Sequence, residues 1–263
     1  MIQSDKADPL PVLEHRQWVV SEVLFDMDGT LVDSIEAVEA AWNTLAAEEG
    51  LVIDVRRGYH GRTARDIVAA AFPPEWRERA FARLEQLESA PGQHVRRLPG
   101  VDRLLSSIPR ENWSIVTSAT RPVALARIGA SRIPAPTLLI TADDVSNGKP
   151  DPEPFRRAQR RATKQIPALA VEDTRAGLIA ARQAGCLTIG VLGTEDLEQL
   201  LMSADAVVRS LTDVVVAVRD DGFLTIDATV IVSRQNGSSS GRYGAPHVRS
   251  ASADGANAPG SLQ

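Results

Sequence analysis

Short runs of apolar, mostly β-branched residues recur along the chain, and the segments between most of them carry apolar residues at the helical period. The runs predict strands at residues 23–25, 114–116, 138–140, 169–171, 188–192 and 206–208. The intervening segments predict helices, for example over 151–164 and over 175–184, the latter followed by Gly185 at the position of a C′ glycine. Alternating strands and helices predict an α/β fold with a doubly wound, Rossmann-like parallel sheet.

The alternation breaks between residues 34 and 98, where the helical period continues but no strand is predicted. Two apolar helix faces can be traced in this segment, one through Ile35, Val38, Trp42 and Leu45 and another through Trp76, Ala80, Leu84 and Leu87. The pattern indicates a helical cap domain inserted after the first strand. Open α/β sheets bind ligands at the carboxyl ends of their strands, so this insertion is expected to close over a site as a lid.

The chain is therefore expected to divide into four parts. Residues 1–20 form an N-terminal extension, 21–33 and 99–232 the α/β core domain, and 34–98 the cap. Residues 233–263 are polar and contain almost no apolar side chains with which to bury a core, so a disordered tail is expected there.

Composition narrows the class of protein. The chain has 263 residues, of which 43% are hydrophobic, and a net charge of -5, so it can bury a full core. Lys and Arg do not concentrate on one face, which argues against nucleic acid as a partner. The polar N-terminus resembles neither a signal peptide nor a membrane span, so no membrane partner and a cytoplasmic location are expected. The single cysteine, Cys186, cannot form an internal disulfide.

The strongest chemical signal is the segment VLFDMDGTLVDS. An apolar strand leads directly into Asp26 and Asp28, and residues two apart in extended backbone face the same way, so two carboxylates converge just past the strand end. A calcium loop is excluded by spacing, because Leu31 and Ala37 stand where that loop needs glycine and glutamate.

This segment resembles the first motif of the haloacid dehalogenase superfamily, D-x-D-G-T after a buried strand. The resemblance implies three further motifs at later strand ends, and all three occur in order. In WSIVTSATR, Thr117 and Ser118 end the second sheet strand, where a hydroxyl can donate to a phosphate oxygen. Both residues remain candidates for that contact.

The third motif centres on Lys149 in the segment SNGKPDP. Lysine is scarce in this chain: of the 29 Lys and Arg residues, three are lysines, namely Lys6, Lys149 and Lys164. A compact ammonium suits a point contact that neutralises both a phosphate and the Asp26 carboxylate. A Walker-type loop is excluded because Pro150 follows the lysine where Ser or Thr is required.

The fourth motif places Glu172 and Asp173 at the end of an apolar strand, in LAVEDTRAG. Together with Asp26 and Asp28 they form an acidic group whose members would repel one another at neutral pH without a hard cation among them. Carboxylate oxygen suits Mg²⁺, so these four residues are the predicted metal site.

The resemblance also implies a mechanism. Asp26 acts as the nucleophile and forms an aspartyl phosphate, and Asp28 serves as general acid and then general base. The main-chain carbonyl of Asp28, with Asp26 and Asp173, would hold Mg²⁺, and Glu172 would lie nearby. Dehalogenases of the superfamily lack the second aspartate, so the presence of Asp28 favours phosphoryl chemistry. Phosphonate hydrolases use a cap lysine, and residues 34–98 contain no lysine, which argues against that activity.

The cap loop RRGYHGRTARDIV is similar to that of phosphatases acting on glycerol 3-phosphate or 2-deoxyglucose 6-phosphate, which suggests substrate contacts by His60, Gly61, Arg62 and Thr63. Arg62 follows His-Gly directly, whereas those phosphatases place a residue between them. The expected substrate is a small polyol or sugar phosphate. The alternatives are a β-phosphoglucomutase-like phosphoryl transferase, a phosphoglycolate-type phosphatase and a non-catalytic protein that binds phosphorylated metabolites. The oligomeric state stays open.

Overall fold

The core of the protein is a mixed sheet whose central strands run parallel. A computed structural model describes residues 12–50, 63–90, 92 and 94–232 of the chain. The strands found there are β1 (Val12–Val20), β2 (Val23–Phe25), β3 (Val32–Asp33), β4 (Arg96–Arg97), β5 (Trp113–Val116), β6 (Leu139–Ile140), β7 (Leu169–Glu172), β8 (Leu187–Val191), β9 (Ala206–Val208), β10 (Val214–Val218) and β11 (Leu224–Val232).

The strand order identifies the fold class. The parallel strands lie in the spatial order β6-β5-β2-β7-β8-β9, which is 3-2-1-4-5-6 in order along the chain, the order of a doubly wound Rossmann-like sheet. The predicted α/β class is therefore confirmed. All six predicted strands are present, with bounds that differ from the prediction by no more than one residue.

Helices cover both faces of this sheet. The α-helices of the described residues are α1 (Ile35–Glu48), α2 (Ala64–Ala71), α3 (Arg77–Glu88), α4 (Val101–Ser107), α5 (Arg121–Ser131), α6 (Glu153–Ala158), α7 (Arg175–Gln183) and α8 (Leu197–Ser203). Side chains alternate along a strand, so Phe25 packs into the cluster under α4 and α5 while Leu24 packs into the opposite cluster under α6 and α7. None of these helices combines the length and apolar character that crossing a bilayer requires.

Two predicted helices have different outcomes. The prediction over 175–184 is confirmed by α7, and Gly185 follows it with φ of 86°. The prediction over 151–164 is wrong beyond Ala158, where α6 ends. The buried carboxylate of Glu22 accepts the amide hydrogens of Arg160 and Arg161 at 2.8 and 2.7 Å. A distant side chain thus takes donors that a continuing helix would have used.

Three of the strands that the prediction lacked, β1, β10 and β11, extend the sheet beyond β9. β11 pairs antiparallel with β1 along nine residues of each strand, and also with β10 and β9. Residues 12–20, expected in the N-terminal extension, therefore form an edge strand of the sheet. The centre of β1 contains Glu14, His15 and Arg16, so no apolar run predicted this strand. Edge strands tolerate charge that a central strand excludes.

The cap segment contains α1, α2 and α3, which share a small apolar cluster of their own that includes Trp42, Leu45 and Leu84. The predicted helix faces were wrong at two ends, because Ile35 and Trp76 are exposed. A further correction is β4, which lies within the segment expected to lack strands and pairs antiparallel with β3. The division into a core and a cap at the stated bounds stays a prediction, and the predicted tail at 233–263 lies outside the described residues.

A pair of glycines tests the packing of the core. Gly100 has φ of 91°, and a Cβ there would meet Leu211 C and Thr212 N at 2.5 Å. Gly129 lies in α5, and a Cβ there would meet nothing within 4 Å. Gly100→Ala is expected to lower the free energy of unfolding by about 2 kcal/mol or more, and Gly129→Ala to raise it by about 0.5–1 kcal/mol. Urea unfolding measures both free energies. Equal changes in the two variants would contradict the close packing at Gly100 and the open space at Gly129.

Candidate active site

The ends of three neighbouring parallel strands converge at the centre of the sheet. Asp26 follows β2, Thr117 follows β5, and Glu172 is the last residue of β7. The ladder continues past the strands, since the amide of Asp26 donates to Val171 O at 2.9 Å. β2 lies between β5 and β7, where the strand order reverses, which is the usual ligand-binding position in such sheets.

A buried lysine joins these strand ends. Lys149 Nζ donates to Asp26 Oδ1 at 2.5 Å, to Glu172 Oε1 at 2.6 Å and to Val116 O at 2.9 Å. An ammonium has three donors, and here each has a partner. Burial alone would lower the pKa of Lys149, but the carboxylates of Asp26 and Glu172 raise it above its ordinary value. The lysine is therefore a fixed positive charge beside Asp26.

Glu172 is held from both sides. Its Oε2 accepts from the amides of Asp173 and Thr174 at 3.0 and 2.9 Å and from the Thr174 hydroxyl at 2.8 Å. A Cβ at Gly177, in the first turn of α7, would overlap this carboxylate, so the helix packs directly against it. With Oε1 bound to Lys149, both oxygens of Glu172 are engaged. Its clearest effect in this arrangement is to orient the lysine.

A carboxylate cluster beside the lysine fits a cation. Oxygens of Asp26, Glu172 and Asp173 all lie within 4.8 Å of one another. Thr30 donates to Asp173 Oδ1 at 3.3 Å, whereas Oδ2 is buried and has no hydrogen bond of normal geometry from the described residues, although the Thr194 side chain is near enough to lower the pKa of Asp173. Gly29 has φ of 86°, and a Cβ there would overlap that same oxygen. A buried acceptor without a well-placed donor is the feature that a bound divalent cation would satisfy.

The raised pKa values of this cluster also favour a bound cation. Burial raises the pKa of Asp26 to about 7, although the charge of Lys149 opposes the rise. Burial, followed by the charges of Asp26 and Glu172, raises the pKa of Asp173 well above its ordinary value. Without a cation, therefore, the cluster retains protons that free carboxyl groups would have lost.

Asp28 lies apart from this cluster. Its Oδ1 accepts from the Ser34 hydroxyl at 2.6 Å, and its Oδ2 accepts from Arg127 Nη1 at 2.7 Å. Asp28 was predicted to contribute to the metal site and to act as acid and base. Its side chain lines the cleft between the core and the cap segment, as do those of Asp26 and Asp173, which are more deeply buried.

The cleft encloses about 850 Å³, its open mouth included. On the core side it is lined by the hydroxyl residues Thr117, Ser118 and Thr120. The Thr117 hydroxyl accepts from the amide of Ala119 at 3.1 Å, so it also stabilises the turn that follows β5. The cap side combines apolar and acidic residues, namely Val38, Trp42, Ile67, Phe81, Glu85 and Glu88.

Of the four cap residues predicted to contact substrate, the structure describes Thr63 alone, and His60, Gly61 and Arg62 lie outside the described residues. Thr63 is the N-cap of α2: its hydroxyl accepts from the amide of Asp66 at 3.2 Å and donates to Asp66 Oδ2 at 2.6 Å. It lines a second cleft, which shares Ala64, Phe81 and Thr120 with the main one.

Sequence reasoning missed several cleft residues, among them Thr120, Arg127 and Glu88. Thr120 stands in the TSATR segment and is the N-cap of α5, and its buried hydroxyl has no hydrogen-bond partner among the described residues. A threonine before Arg-Pro could have been recognised as a cap. Arg127 and Glu88 gave no signal, since Arg127 binds Asp28 across 99 positions of sequence and no spacing rule predicts that contact.

The fold and this site define a class of protein. The chain belongs to the haloacid dehalogenase-like hydrolase family, whose model matches residues 23–191.

The chain is similar to characterised members and to a solved structure of the family's fold. It is 36% identical to hexitol phosphatase A of Escherichia coli (strain K12), over 77% of this chain and 97% of that protein. It is 31% identical to glycerol-1-phosphate phosphohydrolase 1 of Saccharomyces cerevisiae, over 69% of this chain and 78% of that protein. Its structure matches that of a hydrolase from Pseudomonas syringae with a TM-score of 0.62 and 26% identity, covering 73% of this chain and 95% of the other.

The acidic cluster makes the effect of a cation depend on pH. Because the pKa of Asp26 rises from 3.8 to about 7 on folding, the metal-free folded state binds more protons than the unfolded state between these values, and its stability falls as pH rises through them. A cation competes with those protons. With Mg²⁺ as the probe, the increase in Tm on adding the cation should be larger at about pH 8 than at about pH 5. Thermal unfolding measures it.

Asp173→Asn is the matched variant for this measurement, because it replaces one ionisable carboxyl group of the cluster with an amide of the same shape. It should reduce the Mg²⁺-induced increase in Tm. The same increase at both pH values, or an increase unchanged in Asp173→Asn, would contradict a cation site at this cluster.

Proposed function

We propose that this protein is a Mg²⁺-dependent phosphomonoesterase that hydrolyses a small polyol or sugar phosphate through an aspartyl-phosphate intermediate. The observation that carries the proposal is the position of Asp26. Its carboxylate lines the cleft and is buried, bonded to Lys149 and beside Asp173. A nucleophile for phosphorus needs a fixed direction of approach and nearby positive charge, and this arrangement supplies both.

The proposed reaction has two steps. In the first, a carboxylate oxygen of Asp26 bonds to phosphorus, the bond from phosphorus to the leaving oxygen breaks, and Asp28 gives that oxygen a proton. In the second, Asp28 takes a proton from water, the water oxygen bonds to phosphorus, and the bond to Asp26 breaks. Lys149 and a hydroxyl of Thr117 or Ser118 bind the phosphate oxygens during both steps.

Asp26 and Asp173, with the main-chain carbonyl of Asp28, are the residues proposed to hold Mg²⁺, and Glu172 orients Lys149 beside them. Mg²⁺ bound there would supply positive charge that stabilises the phosphoryl group in the transition state. The hard carboxylate oxygens of the cluster, among them the buried Asp173 Oδ2, favour this cation.

The cleft supports an uncharged, hydroxyl-rich leaving group. Its cap side pairs aromatic and apolar surface with the carboxylate of Glu85, which can accept hydrogen bonds from hydroxyls and would repel a second anionic group, while the Glu88 carboxylate is bound to Arg127. The named activities of the relatives from Escherichia coli and Saccharomyces cerevisiae concern phosphates of hexitols and glycerol, which have this character.

The first test is release of inorganic phosphate from glycerol and hexitol phosphates in the presence of Mg²⁺. Asp26→Asn should lower kcat by about 10³-fold or more, because the amide is not a nucleophile. Asp221→Asn, which removes an exposed carboxylate from a surface pair with Arg219, is the control and should retain full activity. A folded Asp26→Asn variant with undiminished activity would overturn the proposal. Glucose 6-phosphate formed from β-glucose 1-phosphate, in place of free phosphate, would indicate a mutase.

The second test concerns substrate charge. kcat/KM should be higher for glycerol phosphate than for phosphoglycolate, whose carboxylate meets the acidic cap side. Glu85→Gln keeps the shape of the side chain and removes its charge. It should therefore lower the ratio of kcat/KM for glycerol phosphate to kcat/KM for phosphoglycolate by about 3- to 10-fold. Steady-state kinetics with both substrates measure the ratio. A preference for phosphoglycolate in the unmodified protein would contradict the substrate assignment.

A further inference from the structure

A buried arginine connects the core to the cap segment. Arg127 lies on α5 and its side chain is only 6% exposed. Its Nη1 donates to Asp28 Oδ2 at 2.7 Å, and its Nη2 lies 3.4 Å from Glu88 Oε2. Glu88 is the last residue of α3 in the cap segment, and its side chain is 9% exposed. One guanidinium therefore binds a carboxylate from each side of the cleft.

The geometry of this contact restricts all three groups. A guanidinium is planar and rigid, so two carboxylates bound by its two terminal nitrogens have a fixed separation and direction. Burial alone would lower the pKa of Arg127, but Asp28 and Glu88 raise it, so the group keeps its charge. Removing either carboxylate partner would leave buried charge less well compensated.

The same contact limits where the Asp28 carboxylate can lie. Its two oxygens have one partner each, Ser34 at the start of the cap segment, just before α1, and Arg127 from α5 of the core. Arg127 is in turn held by a residue that belongs to the cap segment. The position of α3 over the core is thereby connected to the direction of Asp28 through a single side chain.

We propose that Arg127 is a positioning residue that orients the Asp28 carboxylate toward the leaving oxygen, and that Glu88 fixes Arg127 when the cap segment is seated over the core. This inference rests on the proposed function, because it concerns the acid and base step of that reaction. Arg127 acts through Asp28, and its removal affects the proton transfer more than the binding of phosphate.

Leaving-group dependence separates this role from a merely structural one. Cleavage of a polyol phosphate requires a proton on the leaving alkoxide, whereas p-nitrophenolate leaves without one. Arg127→Met should lower kcat for glycerol phosphate by about 10- to 100-fold and change KM by less than about threefold. The first-turnover burst of p-nitrophenolate from p-nitrophenyl phosphate should be much less affected, because it precedes the step in which Asp28 activates water.

Two conservative variants guard against simple loss of folding. Arg127→Lys keeps the charge but can contact only one carboxylate well, so it should recover part of the lost kcat. Glu88→Gln leaves Asp28 and Arg127 in place and should lower kcat by about 3- to 10-fold. Arg103→Met is the control, since the hydrogen bonds of Arg103 to the described residues go to the main-chain carbonyls of Thr212 and Val214 in the core, and it should leave kcat unchanged.

A double-mutant cycle with Asp28→Asn tests whether Arg127 acts through Asp28. If Arg127 acts through Asp28, Arg127→Met should cause little further loss in the Asp28→Asn background. An undiminished further loss, or equal losses for the two leaving groups, would overturn the inference. If Asp28→Asn itself retained full activity, the proposed mechanism would fail instead, so the two failures are distinguishable.

Discussion

The buried contact between Lys149 and the carboxylates of Asp26 and Glu172 is the constraint on which the site depends. A lysine without solvent is stable only if its charge and all three donors are compensated, and here the compensation comes from residues at three neighbouring strand ends. The loop that carries Lys149 must therefore reach the centre of the sheet. The nucleophile proposed at Asp26 is directed by the same contact that stabilises the lysine.

A second charged group lies between the core and the cap segment, and it is separate from the first. Lys149 binds carboxylates of the core alone, whereas Arg127 joins Asp28 to Glu88 of α3. The two aspartates of the D-x-D motif are thus held by different cations. This separation suits two chemical roles, since a nucleophile needs a constant environment and an acid and base must meet the substrate once the cleft is covered.

The acidic cluster and the cap complete the relation between fold and chemistry. The Rossmann-like strand order brings Asp26 and Asp173 together at the point where the order reverses, and membership of the haloacid dehalogenase-like hydrolase family accords with that arrangement. The cap segment contributes apolar surface with Glu85 and Glu88. The core would supply the general phosphoryl chemistry, and the cap the selection of the leaving group.

Some of this was determined by the sequence alone. Apolar runs that end in Asp26, Thr117 and Glu172 predict both the central strands and the residues at their ends, because pattern and motif are local properties of the chain. Tertiary structure decided the rest. The strand character of β1 and the early end of α6 depend on partners more than a hundred positions away, and Asp28 lies 99 positions before Arg127. Such partners are chosen by burial and charge compensation in three dimensions, and no periodicity along the chain records them.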